Sequence, residues 1–468
     1  MFTLNPWLRG RRLVLPAALL IQLLTLARSL AVARLLGPEQ FGIAIALLLA
    51  IQFLDASADA GLNRFMISSP TGGRVSVQQT VHFAALVRGL AASILIALLA
   101  NPVLRLLGVN VSATAVILLA SAPLCNALSH FDIVRYQRRG HLGHQFFCML
   151  AAECVGLMVA VGVAYASRSY VAVIAGWAAR GVAQVIASHI FAERRYSARY
   201  HSKIARNLFH YSAPLSLNGP ILFASAQADR ALLVFLLGPT HLGLYAAALM
   251  LVSSPSAVIT KVTGATFLPK LAAARRDPSA YCKEERGLRL SILAISSTMA
   301  AAFALLGPIL IPILYGSKFQ SDAAVVGSIG FLQALRLARV WPSTVALATG
   351  RTKSVLIGNV VRFLGMPAAV GLLHLGLGLE GLVLGFAAGE FLSLVICAVL
   401  LREELSSRGS IAALGGLGLV GTMIALVLGA NERPLSALFI MLSYAIILAV
   451  NFAPLRTFPR RRHERLNA

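Results

Sequence analysis

The sequence predicts an all-α polytopic membrane protein of about fourteen transmembrane helices, two parallel six-helix lobes followed by two extra C-terminal helices. Three observations predict it. Hydrophobic residues are 58% of the 468 and charged residues 12%, against roughly 45–50% and about 25% in a soluble domain. Apolar stretches of about 20 residues, each long enough to cross a hydrocarbon core of about 30 Å, recur from end to end. A short motif returns after 201 residues. Hydrocarbon offers backbone groups no partners, so each apolar stretch must be a helix that satisfies its own N–H and C=O groups.

The first six spans are Leu13–Ala33, Ile43–Ile67, Val81–Ala100, Ala113–Phe131, Phe146–Ala166 and Tyr170–Phe191. The next six are His210–Leu237, Leu242–Leu271, Leu288–Tyr315, Ala323–Thr349, Ser354–His374 and Leu379–Leu401, and Gly409–Ala430 and Leu435–Ala453 complete the set. Charge sets their direction. Connections on the side of the termini hold 28 of the 41 lysines and arginines, whereas the other side holds only Arg34, Arg105, Arg168, Lys318 and Arg433. The positive-inside rule places both termini in the cytoplasm. A net charge of +24 would suggest nucleic acid in a soluble chain; its confinement to one set of loops reads as topology, and no nucleic-acid partner is expected. The basic start and Ala31-Val32-Ala33 have the form of a cleavable signal peptide, but the same segment has a counterpart in mid-chain, where no cleavage signal acts.

That counterpart is the repeat. Leu35-Leu36-Gly37-Pro38-Glu39-Gln40-Phe41-Gly42 returns as Leu236-Leu237-Gly238-Pro239-Thr240-His241-Leu242-Gly243. Each copy closes one span and opens the next, Gly ending a helix and Pro preventing its continuation. Six spans separate the copies, so the halves enter the membrane in the same orientation, the parallel-repeat case. The organisation is then residues 1–200, a lobe of helices 1–6; 201–402, a lobe of helices 7–12; and 403–468, two additional helices with a basic tail.

Catalysis and metal binding find no support. The five cysteines show neither CxxC nor Cys/His ligand spacing. No Gly-rich loop followed by Lys-Ser/Thr is present for ATP, and the outer connections are too short to carry the catalytic groups of a glycan polymerase or ligase. No cofactor is expected beyond a coupling proton or Na+.

Eight cations remain inside the spans: Arg28, Arg88, Arg180, Arg230, Lys261, Arg336, Arg339 and Arg362. A cation at mid-bilayer costs about 2.5–3.5 kcal/mol even on a lenient scale, so these face the interior or snorkel. Arg28, Arg88, Arg230, Lys261 and Arg362 are close enough to an interface for either. Arg180, Arg336 and Arg339 are deepest; Arg336 and Arg339, three residues apart on one helix face, are expected in a water-filled cavity. Gln52, Asp55, Asp59 and Asn63 form a polar stripe at helical spacing, read either as interhelical glue or as a cavity wall whose carboxylates bind the coupling cation. Asp229 stands beside Arg230, and Glu153 and Glu390 are lone carboxylates, more simply packed than functional. Converging cations beside lipid suit an anionic phosphate or pyrophosphate headgroup, or an anionic soluble solute.

The run Ala33-Arg34-Leu35-Leu36-Gly37-Pro38 through Phe41-Gly42, with Asp229-Arg230 leading into Leu236-Leu237-Gly238-Pro239 and Gly243-Leu244-Tyr245, resembles the polysaccharide-transport branch of the multidrug/oligosaccharidyl-lipid/polysaccharide exporter superfamily, which includes O-antigen and exopolysaccharide repeat-unit flippases. The resemblance implies two lobes in a V around a central cavity in the bacterial cytoplasmic (inner) membrane. It implies as substrate an undecaprenyl-pyrophosphate-linked oligosaccharide, moved from inner to outer leaflet by ion-coupled alternating access, with polysaccharide polymerase and assembly proteins as partners besides the lipid bilayer. Relatives hold the pyrophosphate with cavity arginines on the first, second and eighth spans; the matching positions here are Arg28, Arg64 and Lys261, the last a departure. Ion coupling would give Asp55, Asp59 or Asp229 a purpose. Two other classes compete: a multidrug or small-solute exporter of the same superfamily, with a cavity richer in aromatics and carboxylates, and a membrane glycan polymerase or ligase.

Overall fold

The computed structural model describes residues 14–58, 61–106 and 111–405. The described chain is helical, with no strand. Its helices are α1 (Val14–Leu36), α2 (Pro38–Ala58), α3 (Leu62–Ser68), α4 (Val75–Leu106), α5 (Ala113–Leu128), α6 (Asp132–Arg138), α7 (Gly143–Ser167), α8 (Val171–Ile190), α9 (Ser202–Ala274), α10 (Pro278–Tyr315), α11 (Ala323–Ala338), α12 (Val340–Thr349), α13 (Thr352–Val361), α14 (Gly365–Leu372) and α15 (Gly378–Leu400). Each of the twelve spans predicted between Leu13 and Leu401 falls on a helix or on consecutive helical segments. Gly409–Ala430 and Leu435–Ala453 lie outside the described residues.

Among the described residues, eight helical stretches are long and apolar enough to cross a bilayer, and a ninth if α5 and α6, bent by 53°, count as one. Phe223–Ala274 and Lys353–Leu400, at 52 and 48 residues, exceed twice the roughly 20 residues one crossing needs. Both fold back on themselves. In α9 the turn is at Gly238 (φ 83°, ψ 178°), a conformation that only glycine adopts without strain. Asp229 and Tyr245, sixteen residues apart, share a hydrogen bond across it; on a straight helix they would stand about 24 Å apart. We call residues 202–237 and 239–274 the two arms of α9.

Two predicted spans are broken. The second ends its first segment at Ala58, and Gly61 (φ 62°) stands in the left-handed region before α3 begins. Asn63 therefore does not continue a helical stripe from Gln52; it lies on a separate helix, and it is exposed. The side chain of Asp55 and the whole of Asp59 lie outside the described residues. In the fourth span, the chain turns at Ser129–Phe131, where the His130 N–H donates to Ser188 Oγ at 2.9 Å instead of continuing the helix.

Contacts gather the connections into two sets. On the face rich in basic residues, Arg138 on α6 donates to the carbonyls of Met66, Ile67, Ser69 and Pro70 and so caps α3. Arg351 pairs there with Glu403 at 3.0 Å and Glu404 at 3.2 Å. On the opposite face Gln40 accepts from the Tyr170 N–H, and Tyr170 Oη accepts from Ser112 N. Arg34 donates to Ile313 O.

The two copies of the repeat meet on that opposite face. A Cβ on Gly42 would lie 1.7 Å from Pro239 O, and one on Gly243 would lie 1.9 Å from Pro38 O. The same 201-residue offset relates the two contacts, so they are reciprocal, as a local twofold axis requires. Only glycine lets the backbones approach this closely. The seam continues inward through Ser29 Oγ to Met250 Sδ at 3.1 Å and Gln22 Nε2 to Ser254 Oγ at 3.2 Å. Between α2 and the first arm of α9, Gln227 Nε2 donates to Gln52 Oε1 at 3.4 Å.

Candidate functional site

Charged side chains gather in two clusters inside the helical bundle. In the second half, Asp229 on the first arm of α9 accepts from Arg336 Nη2 at 2.9 Å and from the Tyr245 hydroxyl. Glu390 on α15 accepts from Arg336 Nε at 3.1 Å and forms ion pairs with Arg362 Nη2 at 2.7 Å and Arg339 Nε at 3.4 Å. Arg339 Nη1 also donates to Asn359 Oδ1 at 2.8 Å. The carboxylates are buried, at 1% and 3% exposure, and the arginines are more open, at 11–18%. Three guanidiniums face two carboxylates, leaving one surplus positive charge.

In the first half, Glu153 on α7 is the buried anchor. It accepts from Arg180 Nε on α8 at 2.5 Å and pairs with Arg28 Nη1 on α1 at 3.1 Å. Arg180 also lies over the Trp177 ring at 5.1 Å, a favourable cation–π placement. Two guanidiniums face one carboxylate, so this cluster too is positive by one. Gly156 makes room for it, since a Cβ there would stand 3.1 Å from Arg28 Nη1.

The clusters occupy equivalent places, with the sign of the charge reversed at each matched position. Glu153, Gly156 and Ala160 recur after 209 residues as Arg362, Gly365 and Ala369, and Gly176-Trp177-Ala178-Ala179-Arg180 recurs as Gly385-Phe386-Ala387-Ala388-Gly389, followed by Glu390. The helix crossings match: a Cβ on Gly156 would stand 3.1 Å from Gly176 O, and one on Gly365 would stand 3.1 Å from Gly385 O. On the leading helix of each half, Arg28 corresponds to Asp229 at the 201-residue offset. Arginine, carboxylate, arginine in one half becomes carboxylate, arginine, carboxylate in the other, displaced by one residue at the last position.

Sequence reasoning named Arg28, Arg180, Arg336, Arg339 and Asp229, and it left Glu153, Glu390 and Arg362 outside the site. The 209-residue repeat was the signal that joins them. The gap beside Asp229, Arg336, Arg362 and Glu390 is about 10 Å³, room for about one water, because the carboxylates draw the guanidiniums together. Arg230 is partly buried, and Arg64 and Lys261 are exposed toward the basic face. Arg64 and Lys261 join neither cluster, whereas the charge of Arg230 acts on Asp229 from outside its ion pairs.

A third network lies on the basic face. Asp132 at the start of α6 is fully buried. It accepts from Arg135 Nε at 2.9 Å, Gln78 Nε2 at 3.0 Å and the backbone N–H groups of Glu193 and Arg194 at 2.9 and 2.8 Å. Burial alone would raise its pKa; these donors outweigh burial and hold it down to about 2. Arg194 in turn donates to Gln78 Oε1 and Gly73 O. The segment joining the halves is thereby strapped to the first half. Arg135, Arg194 and Arg289 belong to the 28 cations that the sequence assigns to connections; Arg289 is buried against Glu285, itself hydrogen-bonded to Trp341.

The described residues form an all-helical, multi-pass bundle folded about an internal repeat, with charged clusters buried inside it. It superposes on a lipid II flippase MurJ in an inward closed conformation with a TM-score of 0.71, covering 94% of this chain and 98% of that one at 12% identity. It superposes on an inward-facing multidrug resistance MATE family transporter of the MOP superfamily with a TM-score of 0.64, covering 82% and 94% at 16% identity. At such identities the likeness establishes the fold alone. Residues 31–324 match the family described as polysaccharide biosynthesis protein, and the chain belongs to that family. It is also 26% identical over 135 residues to the amylovoran biosynthesis protein AmsL of Erwinia amylovora, a match over 29% of this chain and 35% of that protein's length.

Proposed function

We propose that this protein is a flippase that carries an undecaprenyl-pyrophosphate-linked oligosaccharide from the inner to the outer leaflet of the bacterial cytoplasmic membrane, with its basic face and both termini in the cytoplasm. The observation that carries this reading is the surplus guanidinium in each buried cluster. An uncompensated cation held within a bilayer is costly unless an anion meets it, and arginine matches phosphate oxygens in a bidentate fork. Buried carboxylates hold the guanidiniums in place before the anion arrives, which lowers the ordering cost of binding. The halves act as two lobes that separate and close about the glycine seam, exposing the anion site to one face at a time. Exposed Arg64 and Lys261 draw the headgroup in from the basic face.

Transport against a gradient needs a driving cation. A proton or Na+ is repelled from Asp229, which sits among Arg336, Arg230 and Arg362, so we assign coupling to Asp55 or Asp59 of the second span. Vesicles holding the purified protein and a fluorescent polyprenyl-pyrophosphate glycan test the proposal. Protein-dependent transfer to the opposite leaflet, accelerated by an imposed proton or sodium gradient, is the expected result. No transfer for any polyprenyl glycan of its host would refute it.

A further inference from the structure

Between the halves lies a crevice of about 350 Å³, walled by α2, α4, α5 and the first arm of α9. Leu47, Ile51, Phe53, Leu99, Phe223 and Val234 are among its lining residues, and every lining side chain is hydrocarbon. It opens sideways. Phe53 and Leu99 are 44% and 46% exposed, beside exposed Ile94, Leu95 and Leu98 on α4. In a membrane that flank meets lipid, and a wall with no polar group offers water nothing.

The arm of α9 that walls this crevice with Phe223, Ala231 and Val234 presents Ser225, Ala228 and Asp229 to the guanidinium cluster. One helix, about 10 Å across with its side chains, thus separates a hydrocarbon slot from a net positive site. That pairing fits an amphiphile with a long chain and a compact, multiply charged anionic head. A pyrophosphate, with its several oxygens and charges, engages clustered arginines more fully than the single charge of a phosphodiester. Resting on the flippase reading, we infer that the crevice seats part of the polyprenyl chain of the substrate, and that the pyrophosphate engages the arginines on the other side of the same arm once the lobes part, since the gap of about 10 Å³ in the closed cluster admits only a water.

Photocrosslinking of the full chain in vesicles tests the site. One probe is polyprenyl pyrophosphate with a diazirine midway along the prenyl chain; the comparator is phosphatidylglycerol with a diazirine on one acyl chain. The prenyl probe is expected to label residues 47–53, 96–100 and 223–234. Labelling falls at least tenfold with Ala231→Trp, which fills the crevice from an exposed position, and with excess unlabelled polyprenyl pyrophosphate, while excess phosphatidylglycerol leaves it unchanged. Adducts spread along the whole lipid-facing flank, or equal labelling by the phosphatidylglycerol probe, would overturn the assignment. The competition arm uses the unaltered chain and decides the matter even if Ala231→Trp does not fold. Localised adducts without glycan transfer would sink the flippase reading and leave the prenyl site standing; transfer with scattered adducts would do the reverse.

Discussion

Replacing Gly42 by alanine tests the seam directly. The new Cβ would sit 1.7 Å from Pro239 O, and ordinary contact begins at 3.4 Å, so α2 and the second arm of α9 must separate locally by about 1.7 Å. Overpacking of this kind costs about 1–3 kcal/mol. Alanine also favours helix over glycine by about 1 kcal/mol, but that gain applies whether the seam is open or shut and leaves their ratio untouched. A loss of about 2 kcal/mol from the closed state alone shifts the ratio roughly thirtyfold toward opening. Hydrogen exchange reads this out: amides of residues 38–46 and 239–247 exchange at least tenfold faster, and α4 and α5 are unchanged. Gly243→Ala behaves alike, by the reciprocal contact, and the double variant falls short of the sum because the first substitution has already parted the seam. Gly73→Ala, where a Cβ meets nothing within 4 Å, is the control. Unaltered exchange across both segments in folded Gly42→Ala, or an equal change in Gly73→Ala, would refute the reasoning.

Glu390→Gln leaves Arg336, Arg339 and Arg362 facing one carboxylate, raising the surplus from one charge to two; breaking a buried pair costs about 3–5 kcal/mol, read as a fall in Tm in detergent, and a Tm within 1 °C of the parent's, about the scatter of such a measurement, would contradict the geometry. Asp132, held at about 2 from an ordinary 3.8, contributes stability that is fully present above pH 3.8 and is lost as pH falls toward 2, so Asp132→Asn lowers Tm at pH 7 and its effect vanishes in acid. Arg138→Ala uncaps α3 and speeds amide exchange at residues 66–72, without altering exchange in α15.

The helices were legible because hydropathy over 20 residues is a bulk property, and a chain with 12% charge has few other solutions. Breaks inside a span were not. Gly61 is one glycine among 38, and the α3 helix that follows its left-handed backbone is held by Arg138, 77 positions away from that glycine. The repeat motif was visible, yet its consequence was not, since nothing in Leu-Leu-Gly-Pro announces that each glycine packs on the other copy's proline carbonyl. The deep arginines were found by cost alone. Their carboxylates were passed over because Glu153 and Glu390 look solitary in the chain and acquire partners only when helices 27 to 125 residues away converge on them. The longer repeat that aligns Glu153 with Arg362 escapes a search for identical residues, because the charge changes sign where the geometry is kept.

The sign reversal limits how this chain can be recombined with its relatives. A chimera whose crossover falls between Arg180 and Asp229 inherits each cluster whole from one parent. A crossover between Arg28 and Glu153, or between Asp229 and Arg336, joins charges from two parents, and wherever the second parent places the opposite sign, two like charges meet in the bundle. Viable crossovers should concentrate in the strap between the halves and avoid the interior of either, a pattern that a library of random chimeras selected for expression would expose without any transport assay.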